Sequence, residues 1–273
     1  TAEKNGLKIG DQITHINSID IRSLSREEAN QLMKGDSGKD IKLKVKRFGQ
    51  DGLLSLNFKR EKVKISNVPY YGMVSENIGM VKLSEFTMQA GREVSNAVEE
   101  LKKQGATGII LDLRGNPGGL LMEAVNTTNV FIPKDKEVVS TRGKVESNNQ
   151  TYNTLNSPVD TDIPVAVLIN SGSASASEIV AGTIQDYDRG VIIGQKSFGK
   201  GLVQLSRPLS YNAQLKVTTA KYYTPSGRCI QALDYAHRND DGSVGKIPDS
   251  LKSEFMTSNN RIVYDGGGID PDI

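Results

Sequence analysis

Val165-Ala-Val-Leu-Ile-Asn-Ser-Gly-Ser-Ala-Ser-Ala-Ser-Glu178 contains the transition that decides the fold. Its first five residues form an unbroken apolar run, the signature of a strand covered on both faces. The polar Asn-Ser-Gly then stops the strand, and Ser175-Ala-Ser-Glu178 carries the capping-box pattern that opens a helix. The same alternation recurs on either side. Ile78-Gly-Met-Val-Lys-Leu-Ser84 precedes Val94, Ala97, Val98 and Leu101 at helical spacing, which predicts an amphipathic helix near 90–103. Gly108-Ile-Ile-Leu-Asp-Leu113 is a further buried strand, and Asn116-Pro-Gly-Gly119 turns into a helix over roughly 120–129. Val191-Ile-Ile193 follows the helix that starts near Ser175. Strands alternating with helices predict an α/β core with a mostly parallel sheet.

Outside that core the pattern changes. In residues 1–60, Ile13 and Ile16 alternate with polar residues, and Ile41-Lys-Leu-Lys-Val-Lys-Arg47 does the same. These are half-buried strands, with Leu53 to Lys59 as a hairpin partner across Gly49-Gln-Asp-Gly52. Ser25-Arg-Glu-Glu28 caps a short helix through Met33. The expected organisation is a small β-rich module over 1–60, a connector over 61–76 and an α/β unit over 77–273. Residues 202–223 read as extended segments. The polar, glycine-containing stretch 235–265 reads as an exposed excursion.

Composition narrows the function classes. The 273 residues are 37% hydrophobic and 24% charged, ordinary for a globular protein. A formal net charge of +2 with scattered lysines does not mark a nucleic-acid partner. Cys229 is the single cysteine, so neither an intrachain disulfide nor a cysteine metal cluster can form. No apolar run is long enough to span a membrane, and no signal peptide is present. No cofactor or metal is expected.

The chemistry concentrates on Ser175 and Lys200. A serine hydroxyl needs a neighbouring base to become a nucleophile, and a lysine serves once burial has stripped its charge. The two histidines, His15 and His237, lie in no motif with a serine. Ser175 follows a buried strand, where open α/β sheets place their sites, and stands at a helix N-terminus that offers free N–H groups to an oxyanion. Ala176 presents the first such N–H. Gly119 is the preferred second donor, with Gly118 as its substitute. Lys200 sits between Gly199 and Gly201, which permit the close backbone packing a buried lysine requires. Gln204 shares its strand face, but four strand residues span about 13 Å, so contact needs a bend near Gly201. The blander alternatives are an N-cap for Ser175, a loop lysine for Lys200 and a simple turn for the paired glycines.

Gly194-Gln-Lys-Ser-Phe-Gly-Lys200 also fits a phosphate-loop pattern. Gly201 stands where such a loop needs Ser or Thr for magnesium, and Leu-Val-Gln-Leu-Ser reads as a strand rather than the required helix. Nucleotide hydrolysis is rejected on both counts.

Taken together, Gly172-Ser-Ala-Ser-Ala-Ser-Glu178, Phe198-Gly-Lys-Gly-Leu-Val-Gln204 and Asp112-Leu-Arg-Gly-Asn-Pro-Gly-Gly119 resemble the carboxy-terminal processing, or tail-specific, proteases. Tyr222-Tyr-Thr-Pro-Ser-Gly-Arg228 and Gly268-Ile-Asp-Pro-Asp272 match further stretches of their core. The resemblance implies a crotonase-like core preceded by a partial PDZ-like domain that lacks its opening strands. It implies a serine endopeptidase that cleaves proteins near their carboxyl termini through an acyl-enzyme, without cofactor. Ser175 falls on the nucleophile, Lys200 on the general base, Gln204 on the residue that positions it, and Gly119 and Ala176 on the oxyanion donors. The implied partners are polypeptides with accessible carboxyl termini, and a homodimer through regions outside this chain. The implied location is extracytoplasmic, periplasmic or in the cell envelope. Peptide-binding residues are not assigned. The alternatives are a latent or non-catalytic PDZ-type peptide-binding scaffold and an acyl-thioester enzyme of crotonase type.

Overall fold

A computed structural model describes residues 2–62 and 65–273. The chain divides into two compact units, one extending to Ile65 and the other running from Ser66 to Ile273.

In the first unit, β1 (Gln12–Ile16), β2 (Ile19–Asp20), β3 (Asp40–Lys46) and β4 (Leu54–Lys59) form an antiparallel sheet in the order β2-β1-β3-β4. Strict alternation in β3 puts Ile41, Leu43 and Val45 inside and its lysines in water. With Ile16 they make a small core, closed by Leu32 and Met33 of α1 (Arg26–Met33). The Ser25 hydroxyl caps α1 by accepting the Glu28 N–H, as the capping-box pattern predicts.

The second unit begins with β5 (Tyr70–Met73), inside the stretch expected to be a connector. It pairs antiparallel with β6 (Ile78–Lys82) as the edge of the main sheet. Tyr70 and Tyr71 are exposed, so this edge strand lacks the apolar pattern that would have announced it. Next come α2 (Ala90–Lys103), β7 (Gly108–Asp112), α3 (Leu121–Thr128), β8 (Glu137–Gly143) and β9 (Gln150–Asn153). They are followed by β10 (Val165–Ile169), α4 (Ala176–Asp186), β11 (Val191–Gly194), β12 (Leu202–Pro208) and β13 (Gln214–Tyr223). The five-stranded sheet has the order β11-β10-β7-β6-β5, and β6, β7, β10 and β11 are mutually parallel. The α/β architecture follows from residues such as Leu111, Val167 and Ile169, which are buried because helices cover the sheet. α2 presents Val94, Ala97, Val98 and Leu101 to that core, and all eleven residues of α4 are buried.

A second sheet, β12-β13-β8-β9, is antiparallel. The excursion at 235–265 is more structured than its composition suggests. With the two residues before it, it holds the hairpins β14 (Leu233–Arg238) with β15 (Val244–Lys246) and β16 (Glu254–Met256) with β17 (Ile262–Tyr264). Among the described residues, no helix is long and apolar enough to cross a membrane.

Candidate active site

Parallel strands deliver their C-terminal ends to one edge of a sheet, and the loops that follow must share that edge. After β7, β10 and β11 these loops are Leu113–Leu120, Asn170–Ser175 and Gln195–Gly201. Hydrogen bonds tie them together. The Ser173 hydroxyl donates to Leu113 O at 2.8 Å, Gly115 N–H donates to Asn170 Oδ1 at 2.9 Å, and Phe198 N–H donates to Ser173 O at 2.9 Å. Asn116 is fully buried and fixes the glycine turn. Its amide donates to Leu83 O and accepts the Gly118 N–H, and its carbonyl accepts from Ala174 N–H and the Ser177 hydroxyl.

Ser175 lies at the N-cap of α4 with φ 56° and ψ −111°. This conformation is rare for a residue with a Cβ and costs about 1–3 kcal/mol, sustained by the surrounding packing. It resembles the strained strand-to-helix turns that lift a serine hydroxyl out of the backbone. The Glu178 N–H, which a capping box directs to the serine hydroxyl, donates to the Ser175 carbonyl at 2.9 Å.

The glycine turn lies directly against this serine. A Cβ built on Gly118 would stand 2.9 Å from both Ser175 Cβ and Ala176 N. Among the described residues, neither the Gly119 N–H nor the Ala176 N–H has an intramolecular acceptor, whereas the Gly118 N–H is taken by Asn116. Gly118, considered as a substitute donor, is thus already committed. Gly119 and Ala176 thus keep free amides, one on the glycine turn and one at the first residue of α4.

The lysine loop reaches the same place through Glu178, which sequence reasoning treated only as a capping residue. Glu178 is fully buried. Its Oε1 accepts the Ser197 hydroxyl at 2.6 Å and the Gly199 N–H at 2.6 Å. Its Oε2 accepts the Ser175 N–H and the Lys200 N–H, each at 2.8 Å. The backbone nitrogens of Ser175 and Lys200 therefore lie within twice that distance of each other. Burial pushes the Glu178 carboxyl above the usual glutamate range, opposed by the Ser197 hydroxyl and the three backbone donors. A buried carboxylic acid inside a run of small residues was the signal available in the sequence.

Two expectations change. Lys200 is exposed rather than shielded, and among the described residues its amine makes no hydrogen bond to Ser175. The flanking glycines do pack closely, Gly199 against Ala232 and Gly201 against Gln231, but they bury the loop's backbone and leave the side chain in solvent. Gln204 is also exposed, and its amide donates to Thr218 Oγ1 at 3.4 Å instead of meeting Lys200. A register shift between Val203 and Gln204 in the β12–β13 pairing sets its direction. A cavity of about 800 Å3 is lined by Ser171, Ser197, Phe198, Leu233 and Ile247, among others. Neither Ser175 nor Lys200 lines it, so it lies beside the reacting groups rather than around them.

Comparison with known proteins identifies the family. The sequence model of peptidase family S41 matches residues 77–236, and that of the PDZ domain matches residues 1–47. The chain is 41% identical over 236 residues to a carboxy-terminal-processing protease of Bartonella bacilliformis, covering 85% of this chain and 54% of that protein. It is 36% identical over 231 residues to the carboxy-terminal processing protease CtpA of Bacillus subtilis, covering 84% of this chain and 48% of that protein. The chain thus spans about half the length of these curated relatives. Among solved structures, the photosystem II D1 C-terminal processing protease matches with a TM-score of 0.55 at 30% identity, covering 84% of this chain and 62% of that one. A fold, a strained serine and a glycine turn in this register, together with the match over more than half its residues, place the chain in peptidase family S41.

Proposed function

We propose that this chain is the catalytic part of a serine endopeptidase that cleaves polypeptides near their carboxyl termini. The Ser175 hydroxyl attacks the scissile carbonyl, and Lys200, as a neutral amine, takes its proton. The Gly119 and Ala176 N–H groups hold the oxyanion. Protonated Lys200 then delivers its proton to the leaving amine, and water resolves the acyl-enzyme. Because Lys200 is exposed, desolvation of the amine is assigned to the arriving polypeptide, which covers the loop and displaces water. Gln204 joins the lysine once it releases Thr218.

The observation that carries this proposal is Ser175 itself, held at φ 56° at the start of α4, next to the free Ala176 N–H and packed against the glycine turn that carries the free Gly119 N–H. The names of the relatives support the substrate class, as does the PDZ match. Work on proteins outside the cytoplasm, in the periplasm or cell envelope, and assembly as a homodimer through regions outside this chain complete the proposal.

The test is turnover of an unstructured protein by Ser175→Ala, Lys200→Ala and the double variant. Each single change should remove most activity and the double little more, because the pair acts as a unit. Full cleavage by Ser175→Ala would refute the assignment. The exposed Lys200 and the Gln204–Thr218 contact favour a second reading, a latent PDZ-type scaffold. A chain that binds carboxy-terminal peptides yet resists a fluorophosphonate probe would support it.

A further inference from the structure

The chain contains the same four-residue capping pattern twice, and the two copies behave differently. In Ser25-Arg-Glu-Glu28 the box is local and exposed. Glu28 Oε2 accepts the Ser25 N–H and the Ser25 hydroxyl, each at 2.8 Å, and that hydroxyl in turn accepts the Glu28 N–H. In Ser175-Ala-Ser-Glu178 the carboxylate is fully buried, and only one of its four donors, the Ser175 N–H, belongs to the helix it caps. The other three come from the Ser197–Lys200 loop. Capping alone needs none of them.

From this contrast we infer that Glu178 is a positioning residue of the peptidase reaction, clamping the nucleophile turn and the lysine loop to one carboxylate. This rests on the proposed roles of Ser175 and Lys200. Each oxygen has a separate task. Oε2 joins the Ser175 and Lys200 backbones directly and sets the separation from which their side chains start. Oε1 fixes the loop just before the lysine, at Ser197 and Gly199. Ser197 extends the clamp to the C-terminal segment, since its hydroxyl accepts the Ile269 N–H at 2.6 Å and its own N–H donates to Ile269 O at 3.0 Å. A Cβ built on Gly268 would stand 2.6 Å from that hydroxyl and 3.1 Å from Glu178 Oε1, so only glycine fits there. An exposed lysine on a four-carbon stem has many positions available, and what keeps them near Ser175 is the anchorage of its backbone.

Substituents at Glu178 separate positioning from simple support. A carboxamide has one acceptor oxygen, so in Glu178→Gln an NH2 faces donors on one side whichever way it turns. Glu178→Ala removes both acceptors. In the full chain, kcat should fall about 10-fold for Glu178→Gln and about 100-fold for Glu178→Ala, with KM within about threefold. On a Lys200→Ala background, the Glu178→Ala change should cost less than about threefold in residual fluorophosphonate labelling, because the geometry it sets is already useless. Unchanged kcat, an effect confined to KM, or the same factor lost in both backgrounds would overturn the inference. Should Glu178→Ala fail to fold, Ser197→Ala decides together with Glu178→Gln. It withdraws one donor from Oε1 and should lower kcat several-fold at constant KM, and full kcat in both variants would overturn the clamp. Ser175→Ala measured alongside keeps the outcomes apart. An inactive Ser175→Ala beside a fully active Glu178→Gln and Glu178→Ala rejects the clamp alone, whereas an active Ser175→Ala rejects the peptidase assignment.

Discussion

Replacing Gly118 by alanine perturbs close packing against Ser175, the proposed nucleophile. Gly118 has φ +99°, and its added Cβ would meet Ala174 O at 2.6 Å and both Ala176 N and Ser175 Cβ at 2.9 Å. Those contacts are several tenths of an ångström too short for carbon against backbone, and the atoms that must yield belong to the nucleophile turn. The glycine turn and Ser175 will therefore separate, moving the Gly119 and Ala176 amides apart. A displacement near 1 Å in such a constellation costs about 100-fold in rate. Gly105 supplies the control. Its φ is +97°, but nothing lies within 4 Å of its missing Cβ. Gly105→Ala thus imposes the backbone cost alone, about 1–3 kcal/mol, which lowers Tm by roughly 2–4 °C per kcal/mol in a unit of this size. The assay is kcat and KM on an unstructured protein, with Tm for each variant. Gly105→Ala should lose stability and keep its kcat, and Gly118→Ala should lose both. Equal kcat in the two variants would refute the idea that close packing at Gly118 sets the oxyanion geometry.

Arg228 and Asp186 form a fully buried ion pair at 2.8 Å, supported by Gln185 and the Ser226 N–H. Arg228→Ala strands a buried carboxylate, and the loss should be about 3–5 kcal/mol, seen as a lower denaturation midpoint. Asp160 is held at about 2 by the Lys102 ammonium, despite some opposition from burial and with help from the Ile163 and Asp162 N–H groups. A depressed carboxyl contributes stability above its unfolded value of 3.8 and loses it as pH falls through about 2. Wild-type Tm should therefore drop towards that of Asp160→Asn over this window, and a gap that stays constant would show that the pair is not the cause.

Much of the core was legible because its signals are local. The apolar runs at 109–111 and 165–169 pointed to strands covered on both faces, and both are. The spacing of Val94, Ala97, Val98 and Leu101 dictated α2, since residues three and four apart share one helix face. β5 escaped because an edge strand needs pattern on only one side, and its tyrosines face water. The hairpins around 233–264 escaped because their strands are only three to six residues long and few of their side chains are buried, so pairing rather than burial defines them.

At the candidate site the division is finer. Residue type and order along the chain nominate Ser175, Lys200, Gly119 and Ala176 as candidates, because the proposed chemistry needs a hydroxyl, an amine and free amides at a turn. Whether Gly118 or Gly119 keeps its amide free depended on the Asn116 side chain, and where Gln204 points depended on a shifted register in β12. Glu178 is the clearest case. Read locally it is a helix cap like Glu28, and only the folding of a loop some twenty residues away onto both of its oxygens makes it a junction between two strand ends. Local sequence sets backbone preference and the chemical inventory. Which buried acceptor meets which donor is decided by the packing of distant segments, and no short stretch of chain encodes that.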